Sequence, residues 1–243
     1  MLSLRVITLV GTVPALLAGM VLPATASDGG APRPPTTEAT KAAPPIIGGY
    51  FVTDADAPWA ASIYRSGSFT CSGTVIAPTW VLTAAHCVGS GLTVRVGSVY
   101  REKATTINVS EHQVAPKGDL ALVHLAGAHE TTYSQLADAD PEVGSTNQIC
   151  GWGRTSYNGP LSEQLKCADV RVTSVSGTCL DYRYGPAICT SKINGNAWSG
   201  DSGGPQRYNG RQVGVASTAD GRSEQTYGSV PASRSWIRSV AGV

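Results

Sequence analysis

Short apolar segments recur along the chain from Ile46 onward, separated by clusters of Gly, Pro, Asn and Ser. Segments of this length between turn residues predict β-strands. The first group of predicted strands covers residues 60–64, 71–76, 80–83, 93–96, 105–109 and 120–125. The second group covers residues 147–151, 165–172, 187–191, 204–207, 212–217 and 227–230. Residues 132–144 are interpreted as a linker between two halves, so the pattern predicts an all-β protein built from sandwiches or barrels.

The pattern changes at the C-terminus, where the apolar positions adopt helical spacing. Pro231 suits the first turn of a helix because that position needs no backbone N–H donor. Trp236, Ile237 and Val240 then fall on one face. A short terminal helix is therefore predicted after the last strand.

The first 26 residues have the three parts of a secretory signal peptide. Arg5 precedes an apolar run over residues 6–22, and Ala24-Thr25-Ala26 forms a small-residue cleavage site. The alternative is a membrane anchor, since about 17 apolar residues lie near the lower limit for spanning a bilayer. The cleavage site and the polar sequence beyond it favour export, so we expect a secreted, extracellular protein.

Residues 27–45 form a Pro-, Ala-, Thr-, Gly- and Ser-rich segment without a hydrophobic period. Such a segment cannot bury enough apolar surface to offset its ordering entropy, which predicts disorder. Two interpretations fit this composition: a simple linker, and a pro-segment that is removed on maturation.

The composition argues against some classes of protein but does not identify the function. The 243 residues include 18 Lys and Arg against 17 Asp and Glu, so the formal net charge is only +1. Nothing in this balance favours binding to nucleic acid or to an anionic membrane. With 14% charged residues, 28 Gly and 15 Pro, the chain also differs from a coiled coil. The excess of Arg over Lys suggests a GC-rich, actinobacterial source.

Six cysteines remain in a chain predicted to be exported, so disulfides are expected in an oxidising compartment. Six cysteines allow fifteen pairings, and spacing alone does not choose among them. Zinc is a weak competitor, because Cys71 and Cys87 lie near His86 without any C-x-x-C pair to complete a tetrahedral site. We expect no metal and no cofactor.

Three short motifs carry residue types that acyl transfer requires. His86 lies in T-A-A-H-C, Asp119 begins D-L-A-L, and Ser202 lies within G-D-S-G-G-P. A serine hydroxyl needs an imidazole to take its proton during attack, and the imidazole needs a carboxylate to orient it. Glycines beside a serine also let backbone N–H groups converge on an oxyanion.

These motifs, in this order, resemble the chymotrypsin/trypsin family of serine endopeptidases from Ile46 to about Val240. The resemblance implies that His86 is the general base, Asp119 its orienting acid and Ser202 the nucleophile. It implies an oxyanion hole at the N–H groups of Gly200 and Ser202. The implied fold is two six-stranded antiparallel Greek-key barrels, over about residues 46–135 and 136–243, with the active site between them.

The resemblance also interprets the segment before the domain. Ile46-Ile47-Gly48-Gly49 is similar to the mature N-terminus of the family, which makes residues 27–45 a propeptide. In relatives the freed amine pairs with the acid before the serine, here Asp201. Many relatives carry Arg or Lys before this bond, whereas this chain has Pro44 and Pro45, so we expect a different protease to activate it.

Two disulfides follow from the resemblance, Cys71 with Cys87 and Cys179 with Cys189. Cys150 and Cys167 remain and flank a predicted hairpin, which favours a cross-strand bridge. The family's bridge beside the specificity pocket is missing, since residues 197–198 and 218–222 contain no cysteine.

Specificity positions depart from the tryptic pattern. The residue expected at the pocket base is Asn196, which cannot form the ion pair that Asp makes with Arg or Lys. Ser217 is expected to contact Asp119, while Thr218 replaces an indole in the substrate groove. Ala219 and Gln225 are expected to narrow the pocket. These positions predict a restricted, uncharged pocket with weak or no tryptic activity.

Two function classes are compatible with these features. The first is a monomeric secreted endopeptidase that meets polypeptide substrates, an activating protease and protein inhibitors. The second is a protease-fold binding protein whose altered pocket excludes substrate. An esterase would use the same catalytic groups, so ester hydrolysis alone would not identify the natural substrate.

Overall fold

The structure is a computed structural model that describes residues 46–243. The predicted signal peptide (1–26) and propeptide (27–45) lie outside the described residues. Within residues 46–243, no helix has the length and apolar character needed to cross a membrane.

The first half of the described chain forms a closed antiparallel barrel. Two short strands, β1 (Ile47–Gly48) and β2 (Tyr50–Phe51), precede it. The barrel strands are β3 (Ala60–Arg65), β4 (Ser68–Ala77), β5 (Trp80–Thr83), β6 (Leu92–Val96), β7 (Thr105–Val114) and β8 (Ala121–Leu125). They pair in the order β3-β4-β5-β8-β7-β6, and a 3-10 turn, Ala85–Cys87, follows β5.

The second half repeats this strand order. Its elements are β9 (Thr146–Gly151), β10 (Lys166–Ser174), β11 (Ala187–Lys192), β12 (Gly195–Asn196), β13 (Pro205–Tyr208), β14 (Arg211–Ala219), β15 (Glu224–Ser229) and the helix α1 (Val230–Ala241). Six strands pair in the order β9-β10-β11-β15-β14-β13, and the β9–β13 pairing closes the barrel. The predicted fold of two six-stranded barrels with a terminal helix is confirmed.

Inward-facing aliphatic side chains fill each barrel. Ile63, Val81 and Leu122 are fully buried in the first barrel, and Ile149 and Ile188 in the second. The first barrel's core cluster also takes in Val230 and Ile237, so α1 packs on the first barrel although it follows the second. Conversely, β1 and β2 precede the first barrel but pair with β12 and β10 of the second half. The two halves are therefore tied together at both ends.

Local capping explains where α1 begins and ends. The hydroxyl of Ser229 accepts a hydrogen bond from the backbone N–H of Ala232, and Pro231 lies in the first turn. Gly242 ends the helix with a left-handed conformation, φ 77°, which glycine adopts without a steric penalty. The predicted terminal helix is present.

All six cysteines form disulfides, and the three predicted pairs are confirmed: Cys71 with Cys87, Cys150 with Cys167, and Cys179 with Cys189. Cys150 and Cys167 lie directly opposite each other on β9 and β10, as a cross-strand bridge requires. The ligand atoms of Cys71, His86 and Cys87 do lie within 4.8 Å of one another. Both sulfurs are consumed by the disulfide, so neither can act as a thiolate ligand.

Some element boundaries differ from the prediction, in β7 because exposed polar residues interrupt the pattern of apolar positions. The strand β7 continues to Val114, five residues beyond the predicted end, because its outer portion is polar and exposed yet still pairs with β8. The predicted linker at residues 132–144 is partly packed, since Leu136 is buried and pairs with Gln212 of β14. Val230 begins the helix instead of ending a strand.

We expect Ile237→Ala to lower the free energy of unfolding by about 2–5 kcal/mol, because the substitution leaves a cavity between α1 and the first barrel. Denaturant unfolding of the domain measures this loss. Ser235→Ala, an exposed position on the same helix, is the matched control and should change stability by less than about 0.5 kcal/mol. Equal stability of the two variants would contradict the packing described for α1.

Candidate active site

His86 and Asp119 are in direct contact. The 3-10 turn that carries His86 is tied to β4 by the disulfide from Cys71 to Cys87. Asp119 lies just before β8, fully buried, and its Oδ2 is 2.7 Å from His86 Nδ1. Its Oδ1 accepts a second hydrogen bond, 3.0 Å long, from the His86 backbone N–H. Because a carboxylate can only accept, this contact assigns the proton to Nδ1 and leaves Nε2 as a base.

Ser217 reaches the same carboxylate from the second barrel. Its hydroxyl donates a 2.7 Å hydrogen bond to Asp119 Oδ2, as the sequence predicted. Ser217 lies on β14, whereas His86 and Asp119 belong to the first barrel. The site therefore lies where the two barrels meet.

Ser202 lies in the loop between β12 and β13 and borders a cavity of about 240 Å³. A second cavity, of about 280 Å³, is lined by His86, and the two cavities share Ser217 and Thr218. Among the described residues, no hydrogen bond within 3.5 Å joins Ser202 Oγ to His86. Catalytic hydrogen bonds are often long without substrate and shorten in the reacting complex.

Two backbone donors of the loop around Ser202 are unpaired among the described residues. Within residues 46–243, neither the Gly200 N–H nor the Ser202 N–H has a hydrogen-bond acceptor. Gly200 has φ 98°, and a Cβ there would lie 2.9 Å from Leu161 Cδ2 and 3.0 Å from Gly153 Cα. Glycine is thus required by the conformation of the loop.

Ser72 holds this loop and was not singled out from the sequence. Its backbone N–H donates to the Ser202 carbonyl at 2.8 Å, and its hydroxyl donates to the Gly200 carbonyl at 3.1 Å. The same hydroxyl accepts a 3.2 Å hydrogen bond from the Trp152 N–H. Its strand also contains Ser68, Thr70 and Thr74, so no pattern in the sequence distinguishes Ser72. A first-barrel strand, β4, thus anchors the loop of the second half that carries Gly200 and Ser202.

Asp201 is buried beside Ser202 and is satisfied by backbone donors. It accepts hydrogen bonds from the N–H groups of Gly153, at 2.7 Å, and Trp198, at 2.9 Å. Burial raises the pKa of the Asp201 carboxyl to about 7. The side chain of Ile46 is fully buried in the core of the second barrel, with Ile149 and Tyr227 among its neighbours.

Lys166 is a second buried charge that sequence reasoning missed. Its ammonium donates to the carbonyl oxygen of Ile46 at 3.3 Å and to that of Gly48. Burial lowers the pKa of Lys166 to about 7, and the charge of Asp201 partly opposes this shift. A lysine in a strand next to a cysteine has no distinguishing pattern, so only the tertiary structure identifies its role.

The predicted specificity residues occupy different positions around the Ser202 cavity. Ala219 lines it together with Ala197, Trp198, Ser199, Ala216, Ser217 and Thr218, and none of these side chains is charged. Asn196 and Gln225 are not among the lining residues. Asn196 donates to the Ala197 carbonyl at 3.1 Å, and Gln225 accepts from the Ala197 N–H at 2.8 Å. Both amides therefore support the pocket wall at Ala197.

Trp198 packs between Tyr157 and the 218–222 segment. Its indole stacks on Tyr157 with ring centroids 4.9 Å apart and donates to the Tyr157 carbonyl. A Cβ on Gly221 would lie 2.6 Å from this indole, so the ring sits directly against the 218–222 segment. The packing of Trp198 thus joins residues 197–198 to the 218–222 segment, and neither stretch contains a cysteine.

Comparison with known proteins agrees with this geometry. The trypsin family model matches residues 46–237. The chain belongs to the trypsin family. Members of this family are serine endopeptidases, hydrolases that act on polypeptide substrates.

Individual relatives and solved structures support the family assignment. Trypsin delta of Drosophila melanogaster is 32% identical, with 81% of this chain and 88% of the relative covered. Hypodermin-B of Hypoderma lineatum is 33% identical, with 79% and 86% covered. Mouse neuropsin superposes with a TM-score of 0.69 at 25% identity, covering 79% of this chain and 98% of neuropsin. Human heparin binding protein gives 0.71 at 28%, with 81% and 96% covered.

The source inferred from composition is not supported. These two trypsin-family relatives come from insects, which gives no support to an actinobacterial origin. An excess of Arg over Lys reflects codon usage as much as protein chemistry, and it does not identify a lineage.

We expect Ser72→Ala to lower the free energy of unfolding by about 1–3 kcal/mol, because it leaves the buried Trp152 N–H without an acceptor. Ser68→Ala, at an exposed position on the same strand, is the matched control. Denaturant unfolding of both variants measures the difference. An unchanged unfolding midpoint in Ser72→Ala would show that these hydrogen bonds do not stabilise the loop that carries Gly200 and Ser202.

Proposed function

We propose that this trypsin-family protein is a secreted endopeptidase that hydrolyses peptide bonds through an acyl-enzyme on Ser202. The observation that carries the proposal is the 2.7 Å contact between His86 Nδ1 and the buried Asp119 carboxylate, beside a cavity that shares Ser217 and Thr218 with the cavity that Ser202 borders. This contact leaves Nε2 of His86 as the available base.

In the proposed reaction, the Ser202 oxygen forms a bond to the substrate carbonyl carbon while its proton passes to His86 Nε2. The carbonyl electron pair moves onto oxygen, where the N–H groups of Gly200 and Ser202 stabilise it. Collapse of this intermediate breaks the C–N bond, and His86 returns the proton to the leaving amine. Water then repeats the sequence, releasing a carboxylic acid and restoring the serine. Asp119 remains ionised and stabilises the imidazolium.

The proposed substrates are polypeptides with a small or polar uncharged residue before the cleaved bond. No charged side chain lines the Ser202 cavity, so an Arg or Lys side chain would enter without an ion-pair partner. Asn196 Oδ1 and Gln225 Nε2 are buried and have no hydrogen-bond partner within residues 46–243. These amides provide one acceptor and one donor next to the wall at Ala197.

Activation is proposed to follow cleavage before Ile46 by another protease. Ile46 has φ 38°, a left-handed conformation that costs a β-branched residue about 1–3 kcal/mol, and cleavage removes this constraint. The freed amine would also give buried Asp201 a cationic partner, which stabilises its ionised form. The signal-peptide pattern supports secretion, and protein protease inhibitors are proposed as further partners.

The alternative function is a protease-fold binding protein. One observation favours it: no hydrogen bond joins Ser202 Oγ to His86 in the described chain. A solved structure with the same fold is the human heparin binding protein, so this scaffold also occurs in a protein named for binding.

We expect the secreted chain to start at Ile46 and to gain one adduct from a fluorophosphonate probe, because an activated serine attacks the phosphorus. Intact mass spectrometry reads both the start and the adduct. Ser202→Ala should start at the same residue and gain no adduct. A chain that starts at Ile46 but gains no adduct would contradict the endopeptidase proposal and favour the binding protein. A start at any other residue would contradict the proposed activation site.

For peptide substrates that differ only before the cleaved bond, we expect kcat/KM to be at least about tenfold lower for Arg or Lys than for small or polar residues. The reason is that the pocket lacks a carboxylate to replace the water around a cation. Cleavage rates of a peptide library measure the ratio. Equal rates for the basic and the small or polar residues would refute the proposed pocket.

A further inference from the structure

A short loop of the second barrel contacts the acid of the candidate active site. The disulfide loop, defined here as residues 179–189, is closed by Cys179 and Cys189. Its Asp181 is only 5% exposed. Asp181 Oδ2 accepts a 2.7 Å hydrogen bond from the backbone N–H of Asp119, 62 residues away along the chain. The proposed orienting acid is therefore itself held by a second carboxylate.

The same carboxylate organises the loop around it. Asp181 Oδ1 accepts from the N–H groups of Arg183, at 2.9 Å, and Gly185, at 2.8 Å. The Asp181 N–H in turn donates to the Gly185 carbonyl at 3.0 Å. Three backbone donors surround the carboxylate, which is the arrangement that stabilises a buried anion without a cation. The geometry of the loop thus depends on Asp181.

A second contact reaches Asp119 from the other side. The backbone N–H of Tyr182 donates to Ser217 Oγ at 3.1 Å, and Ser217 Oγ donates to Asp119 Oδ2 at 2.7 Å. The Tyr182 ring also lies edge-on to the His86 ring, with centroids 6.2 Å apart. Consecutive loop residues therefore hold the Asp119 backbone and orient the hydroxyl bonded to its side chain.

Two glycines make this close approach possible. Gly118, with φ 90°, would place a Cβ 2.9 Å from Asp181 Oδ2. A Cβ on Gly185 would lie 2.2 Å from the Gly118 Cα. Any side chain at either position would push the disulfide loop away from Asp119. The contact is consequently specified by three positions in two distant segments.

We propose that Asp181 is a positioning residue: its carboxylate holds the Asp119 backbone and thereby keeps the Asp119 carboxylate aligned with His86. This inference rests on the proposed function for its kinetic consequence, although the His86–Asp119 contact can be observed without catalysis. A catalytic group must be held within about 0.5 Å of its productive position, and a misplacement of about 1 Å can cost a hundredfold in rate. Asp181 acts through Asp119 and does not touch the cleaved bond.

The kinetic test compares Asp181→Ala and Asp181→Asn with wild type, all starting at Ile46. We expect Asp181→Ala to lower kcat about tenfold or more while KM changes less than about twofold, since no residue of the disulfide loop lines the Ser202 cavity. Asp181→Asn retains one acceptor oxygen and should lose less. Asp140→Asn is the matched control, because Asp140 also accepts from a distant backbone N–H, that of Ser176, without contacting Asp119.

The second measurement does not require activity. In a Ser202→Ala background, proton NMR follows the low-field resonance of His86 Nδ1–H, which reports its hydrogen bond to Asp119. We expect this resonance to move or broaden in Asp181→Ala, to move less in Asp181→Asn and to be unchanged in Asp140→Asn. Asp181→Asn carries the test if Asp181→Ala does not fold, as judged by thermal unfolding.

The outcomes separate this inference from the proposed function. A fluorophosphonate-unreactive wild type would defeat the proposed function, yet the His86 resonance would still test the role of Asp181. An unmoved resonance in folded Asp181 variants would overturn the inference, whether or not kcat falls. A moved resonance in Asp140→Asn as well would also overturn it, because the effect would then be general to the second barrel.

Discussion

The buried carboxylate of Asp119 is the constraint on which the candidate site depends. An ionised group removed from water is tolerated only where hydrogen-bond donors replace its hydration. Asp119 meets this requirement with two donors from His86 and one from Ser217, which belong to different barrels. The carboxylate is therefore stable only when the barrels are correctly docked, and the docking that satisfies it also orients the imidazole. Stability and function share the same hydrogen bonds.

Away from the cleft, buried polar groups at the interface between the barrels also form hydrogen bonds across it. Thr74 of the first barrel and Ser134 of the connecting segment both donate to Gln212 Oε1 on β14, at 2.8 and 3.1 Å. Ser72 contributes hydrogen bonds to the loop that carries Ser202. Apolar contacts alone would permit the two barrels to shift relative to each other. Buried hydrogen bonds are directional, so they favour one relative position of the barrels. This polar interface explains how two separately closed barrels bring Ser217 of one half into contact with Asp119 of the other.

Residues whose type is restricted by the proposed chemistry could be predicted from the sequence. Residues that act only through contacts with distant parts of the chain could not. The motifs around His86, Asp119 and Ser202 could be singled out because the proposed acyl transfer accepts few residue types. The twelve barrel strands followed from short apolar segments, except where the outer part of β7 is polar and exposed. No sequence pattern identifies Asp181 or Ser72. Each side chain forms a hydrogen bond with a backbone group far away along the chain, and such a contact imposes no pattern on the neighbouring residues. The same is true of Lys166.

Two features of the chain before cleavage are unfavourable: the buried charge of Asp201 and the left-handed φ of Ile46. Burial raises the pKa of Asp201 to about 7, so the cost of holding its ionised form grows as the pH rises from about 4 through 7. Burial lowers the pKa of Lys166 to about 7, so near neutrality this lysine is only partly charged, and it is already bonded to the Ile46 and Gly48 carbonyls. An amine freed at Ile46 would add the missing positive charge and release the left-handed φ of that residue. Both changes would favour an ordered loop around Asp201 and Ser202. We therefore expect cleavage before Ile46, rather than elsewhere in the preceding segment, to complete the proposed active site.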